Sequence, residues 1–441
     1  MMDIKNESTT LTNNITSAFE NHLAKMTDNS IIRAKRVLAM EHFLKLGIPD
    51  KKNEEYKYSN PGAFLNDSFK LTNNIEVSIP SKRFKKLIPL KNAHVIVLIN
   101  GIFSNEHSQL IATDSSIFIT NLATIYSTQK EIIEKHFANY ADSASDAFVA
   151  LNTALAKDGA YIRVAANTTV NEPVHIINLI SSSENFLANT RNLIIVEKGA
   201  KLDVIETFVS LDSNANEKLF TNHLSEIVVE ENAQVNYCRI QAEESNASQV
   251  NTTQVQQSKG SLFNTYTYSL SGEFLRNNLN IVLADENCET HLFGLYLPRK
   301  KEHFDNHTLV DHRMPNCFSN ELYKGIMSDD STGVFNGKIF VRQDAQKTNA
   351  YQSNKNMLLG DNASVNTKPQ LEIYADDVKC SHGTSTGRMD EEAMFYLRSR
   401  GIGEDKAKNL LMKAFAEEVV NAIQFAPLKE YIESLIANRF A

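Results

Sequence analysis

Apolar residues recur at helical spacing near the start of the chain. Ile15, Phe19, Leu23 and Met26 fall three or four positions apart, and Ile32, Leu38 and Phe43 continue the pattern across 31–46. Side chains so spaced line one face of a helix. Gly47-Ile48-Pro49 stops the second helix, because proline cannot continue it. From about residue 93 the texture changes. Short β-branched runs appear around Val95, Val174, Leu193 and Ile227, each long enough for a strand, with one helical interruption expected near 120–157. Many strand-like segments lead into a similar corner: a Gly, Asn or Asp, a small residue, then an extended run. The corners are Gly199-Ala200, Asn232-Ala233, Gly260-Ser261, Asn287-Cys288, Asp344-Ala345 and Asn362-Ala363, spaced 33, 28, 27, 57 and 18 residues apart. Gly, Asn and Asp tolerate the left-handed backbone of such corners. Strands without long helices between them suggest an all-β solenoid, each coil burying its face on the next. A two-sheet sandwich is the competing all-β reading.

The last part is helical again. Asp390 caps a helix whose first turn holds Glu391 and Glu392, both favoured there. Its run Met394, Phe395, Tyr396, Leu397 spans more than one face, so some apolar surface should point outward. After Gly401-Ile402-Gly403, a second helix sets Ala407, Leu410, Leu411, Ala414, Phe415 and Val419 on one stripe. Pro427 opens a third, with Leu428, Tyr431, Ile432, Leu435 and Ile436. Such helices either cap the solenoid or offer a face to a partner. The expected division is a helical part at 1–92, a β core at 93–385 and a helical part at 386–441.

Composition narrows the function. A net charge of −8 argues against a nucleic-acid footprint; the basic cluster Lys82, Arg83, Lys85, Lys86 reads as a solvated face. No apolar run is long enough to span a membrane, and the first residues do not read as a secretory signal. Four cysteines, at 238, 288, 317 and 380, do not make a disulfide framework in so long a chain. The expected setting is cytoplasmic with reduced thiols. Gly383-Thr-Ser-Thr-Gly387 lacks the P-loop spacing and its lysine, so the chain should not hydrolyse ATP itself. No Gly-x-Gly-x-x-Gly follows a strand. Without a Cys-x-x-Cys pair, a complete iron–sulfur site within one chain is not expected.

Two metal-capable clusters remain. Cys380 and His382 lie two apart, so a strand points them to one face. A thiolate and an imidazole both bind iron or zinc, but two ligands need a partner to complete the site. The second cluster is His303, Asp305, His307, Asp311 and His312. On a strand the first four share a face and His312 points away; we read it as a polar ladder on the solenoid wall.

These stretches resemble the SufB/SufD family of the SUF iron–sulfur cluster assembly machine. The resemblance rests on 374–402, with Cys380-Ser-His382-Gly and Asp390-Glu-Glu-Ala-Met-Phe-Tyr-Leu-Arg-Ser-Arg-Gly401, and on the run Val341–Gln352. Lys52-Asn-Glu-Glu-Tyr56-Lys-Tyr58 is similar to the family's N-terminal motif, with Tyr56 where a Trp is usual. The resemblance extends from about residue 30 to the C-terminus. It implies a right-handed parallel β-helix between helical ends and a non-catalytic scaffold closer to the SufD branch than to SufB. SufB proteins usually carry His-Glu where this chain has His382-Gly383. The implied partners are a SufB-like subunit, met at the end of the β-helix, and a SufC-like ABC-type ATPase, whose ATP cycle opens that contact. Self-pairing of the isolated chain is a further expectation. The site residues implied are His382, with Cys380, facing the partner subunit, and Met394, Phe395, Leu397, Arg398 and Arg400 docking the ATPase. No tightly bound cofactor is expected on the lone chain; iron or a nascent cluster passes through the partner interface, with His382 as a shared ligand. The alternatives are a SufB-type cluster scaffold, a β-helix polysaccharide lyase and a purely structural solenoid. Missing secretion signal and Trp count against the lyase.

Overall fold

Parallel strands need long crossovers, and here each crossover is itself a strand of a second sheet. The computed structural model describes residues 3–26, 30–65, 69–71, 79, 84, 87–90, 92–111, 116–211, 217–243 and 246–440, with side chains from residue 10; the basic residues Lys82, Arg83, Lys85 and Lys86 lie outside them. Its strands, numbered in chain order from β1 (His94–Ile99) to β19 (Lys379–Arg388), alternate between a ten-stranded and a nine-stranded sheet. Odd strands from β5 (Val174–Ile180) onward stack in one sheet and even strands from β4 (Ala160–Val164) onward in the other, all parallel. The chain is thus a parallel β-solenoid of about seven turns, flanked by helices.

The corners explain the stacking. Asn167, Gly199, Asn232, Gly260, Asn287, Asn316 and Lys347 all have positive φ. Each donates its N–H to a carbonyl of the next coil, as Gly199 does to Glu231 (2.8 Å) and Asn316 to Gln346 (2.9 Å). The residue after each corner is small or polar, and from Ala200 through Ala233, Ser261, Cys288, Cys317 and Thr348 it is fully buried. The true repeat is therefore steady, at about 30 residues. The sequence spacing looks irregular because Asn316 and Lys347 escape notice while Asp344 and Asn362 do not occupy this column.

The solenoid interior is partly apolar. Ile194, Ile227, Val255, Ile281 and Val310 form one inward column. Beside it, Thr190, His223, Asn251, Asn277 and Asn306 form a buried polar one. Parallel in-register stacking lets such amides bond along the axis, as Asn277 Nδ2 does to Asn306 Oδ1 (3.0 Å).

Each sheet's outer face carries its own helical layer. Helices α1 (Asp3–Lys25), α2 (Ser30–Leu46) and α5 (Ala147–Leu155) pack over Leu187, Phe220, Val250 and Phe274 of the nine-stranded sheet. On α2 the buried face holds Ile32, Arg36, Ala39, Met40 and Phe43, whereas Leu38 is exposed. Between them lie α3 (Leu122–Thr128) and α4 (Lys130–His136). Two buried ion pairs fasten this layer. Glu226 holds Arg191 at 2.6 Å and accepts the N–H groups of Ala138, Tyr140 and Ala141. Arg276 holds Asp305 at 2.6 Å, donates to the Glu55 carbonyl and lies 4.5 Å from the Tyr56 ring.

At the other end come α6 (Glu391–Ser399), α7 (Glu404–Val420) and α8 (Ala426–Phe440). The last two do not cap the coil. They fold back over Ile240, Tyr266, Tyr268, Leu295 and Leu322 on the outer face of the ten-stranded sheet. The buried stripe of α7 is Ala407, Met412, Ala416, Val419 and Val420. Leu410, expected inside, is exposed because the wall meets a neighbouring face of the helix.

Candidate functional site

Because the final helices cover a wall, the last coil is left bare. Strands β18 (Ser364–Ile373) and β19 have no fully buried residue, and they end their sheets as unpaired parallel edges. The opposite ends finish in short antiparallel strands, β2 (Ile102–Phe103) and β3 (Ile117–Asn121).

Cys380 and His382 sit on β19 in extended backbone and share its inward face. Cys380 is in register with Ala350 of β17 (Asn349–Leu358), and His382 with Gln352. Cys380 is half-buried against the apolar cluster of Val341, Ala345, Ala350 and Ala375. Burial pushes its thiol above the ordinary value, so this cysteine packs as well as points to the mouth. His382 is exposed, and Gly383 beside it has open space where a Cβ would stand.

Beneath His382 the inward column continues with Gln352 and then Glu321 of β15 (Phe318–Met327), both buried. Gln352 Nε2 donates to Glu321 Oε2 at 2.8 Å. Burial raises the Glu321 carboxyl to about 7, with Thr308 and Gln352 opposing. Sequence reasoning missed both residues; only their placement two and one coils below the mouth marks them out.

The second cluster is tied up within the fold. Asp305 pairs with Arg276, His303 meets the Ser59 hydroxyl (2.8 Å), and His307 lies 3.1 Å from Asp305. Asp311 takes Arg313 and Arg342, and His312 turns inward to Ser319. Among the described residues no group of three or more His, Cys, Asp or Glu is arranged to hold a metal. This ladder anchors the Tyr56 segment to the wall.

On α6, Phe395 and Tyr396 are 74% and 58% exposed. Met394 and Leu397 are half-buried, and Arg398 and Arg400 are exposed. Arg398 lies 3.3 Å from Glu404, and the Arg400 guanidinium sits 5.3 Å from the Tyr396 ring. The helix therefore turns aromatic and cationic surface outward together.

Comparison with known proteins converges on one family. The model described as SUF system FeS cluster assembly, SufBD core domain, matches residues 178–415, and that of the SufBD protein N-terminal region matches 9–176. An iron–sulfur cluster assembly SufBD family protein of Synechocystis is 29% identical over 95% of this chain and 94% of its own length. The iron–sulfur cluster assembly protein SufD of Escherichia coli is 31% identical, over 91% of each chain. That of Bacillus subtilis is 25% identical over 80% of this chain and 82% of its own.

Proposed function

The chain belongs to the SufBD family of the SUF iron–sulfur cluster assembly system, and on that footing we propose that it is a SufD-like, non-catalytic scaffold subunit that meets a SufB-like subunit through its open last coil. One observation carries this reading. The bare end of the solenoid is also where the thiol of Cys380 and the imidazole of His382 share an inward face.

A row of unpaired strand edges is a template for another chain. A homologous solenoid end would continue both sheets and enclose the mouth. Deprotonated thiolate and neutral imidazole are the forms that bind soft metals. This chain supplies two such donors, and the partner completes the set, with iron or the nascent cluster as cargo. The exposed Phe395 and Tyr396, flanked by Arg398 and Arg400, form the docking face for a SufC-like ABC-type ATPase. Its ATP cycle then opens the covered mouth.

Co-expression of the chain with a SufB-like subunit and a SufC-like ATPase tests the reading. All three should co-purify. His382→Ala should leave the thermal stability of the lone chain within about 0.5 kcal/mol, since an exposed side chain is removed, yet sharply reduce cluster formed on the complex. Wild-type cluster yield from that variant would remove His382 from the site; failure to co-purify would remove the pairing.

A further inference from the structure

The Gln352 amide is held at one end and unsatisfied at the other. Its nitrogen donates to Glu321 Oε2, while its carbonyl oxygen is buried without a hydrogen-bond partner. A carboxylate only accepts, so an ionised Glu321 fixes the amide with nitrogen toward the coil below. The oxygen is then left for a donor other than Glu321, and His382 is the in-register neighbour on the coil above. Facing side chains on adjacent parallel strands are about 4.8 Å apart, and an exposed imidazole rotates freely on the nanosecond scale.

The fold also makes room for this amide. Gly337 of β16 (Thr332–Val341) faces it from the other sheet, and a methyl there would stand 2.3 Å from Gln352 Nε2. The groups bearing on Glu321 are the Thr308 hydroxyl, the Gln352 amide and the Tyr323 ring of its own strand; none is a cation.

We propose that Gln352, oriented by Glu321, is the positioning residue for His382: its carbonyl accepts one imidazole N–H and so fixes which ring nitrogen stays unprotonated toward the mouth. A ligand histidine is oriented in this way by the acceptor that holds its other nitrogen. Glu321 acts through Gln352 and touches neither the ring nor the cargo. The inference deepens the reading of the open end, but its test runs on the isolated chain, so failure of cluster assembly in the complex does not decide it.

The readout is the His382 tautomer ratio from nitrogen-15 NMR of the imidazole in the isolated protein, at about pH 8, above the Glu321 value of about 7. Gln352→Met keeps volume and flexibility but removes the acceptor. It should shift the ratio about threefold or more, the range expected for one hydrogen bond. Glu321→Leu frees the amide and should shift it in the same direction. Glu321→Gln, which can donate as well as accept and so holds the amide in either orientation, should give a ratio between those of the wild type and Glu321→Leu. Gln352→Leu is the second variant should the methionine prove unstable. An unchanged ratio in a folded Gln352 variant overturns the proposal, and an unchanged ratio in Glu321→Leu removes Glu321 from it.

Discussion

Glu321 shows how a single side chain couples this solenoid to pH. Its carboxyl titrates near 7 in the folded chain because burial disfavours the charge, against about 4.3 in an unfolded one. Between these values the folded state holds a proton that the unfolded state has lost. Stability from this group is therefore complete below about pH 4 and falls as pH rises to 7, by up to about 4 kcal/mol. Glu321→Gln should remove that slope. The stability difference between variant and wild type, from urea unfolding at several pH values, should change across this window; a constant difference would show that Glu321 does not titrate there. Glu243, raised by burial to about 8, has the same sign and is present in both proteins. Residues of this kind were not legible in the sequence. Cys380 and His382 announced themselves by rare, metal-capable chemistry two positions apart. Glu321 and Gln352 read as ordinary polar positions of an alternating strand, which by default face water. In-register stacking reverses the inference, because an inward amide can be satisfied by the amides above and below it.

Among the elements, the ionic fasteners decide how firmly the N-terminal layer sits. Glu226 is fully buried between Arg191 and three backbone amides. Removing one partner strands the other charge, so Glu226→Ala should destabilise by about 3–5 kcal/mol. Hydrogen exchange should show Ala138, Tyr140 and Ala141 losing protection first; protection unchanged there would mean that the loop is held by packing alone. On the opposite flank, reversing charge at Arg398 and Arg400 together should weaken ATPase binding, measured by titration, without altering the melting temperature. Unchanged affinity would place the docking face elsewhere. The existence of these helices was plain from the periodicity of their apolar residues and from the Asp390 cap, which bonds Ala393 N–H as expected. Their packing was not. Leu410 and Ala407 both fit a helical stripe, and only the position of the wall selects Ala407, Met412 and Ala416 over Leu410. Nor could the sequence show that α7 and α8 lie along the side of the solenoid rather than across its end.

For the whole molecule, the repeated corners and the lack of long helices between strands pointed to a solenoid, while the sandwich alternative remained open on strand pattern alone. The choice becomes physical at the corners, where left-handed residues recur once per coil and bond the next. Lys347 in that column shows why the repeat looked broken: stacking imposed the left-handed backbone on a residue with no preference for it. The chain's ligand count makes a further prediction. Anaerobic reconstitution of the isolated protein with iron and sulfide should leave it almost colourless, since Cys380 and His382 are two donors where a cluster needs about four; a stoichiometric, stable chromophore on this chain alone would contradict the shared-site reading.

The contrast between the two ends of the solenoid also sets a valence. A rod adhesive at both ends polymerises without limit, as amyloid does. Here one end terminates in strands of two and five residues running against their neighbours, while the other exposes two ten-residue parallel edges. A rod with one adhesive end is a chain terminator. Two copies of it joined end to end leave nothing to extend. Concentrating the isolated protein should therefore populate a dimer and nothing longer in sedimentation velocity, and a SufB-like partner should displace that dimer one for one.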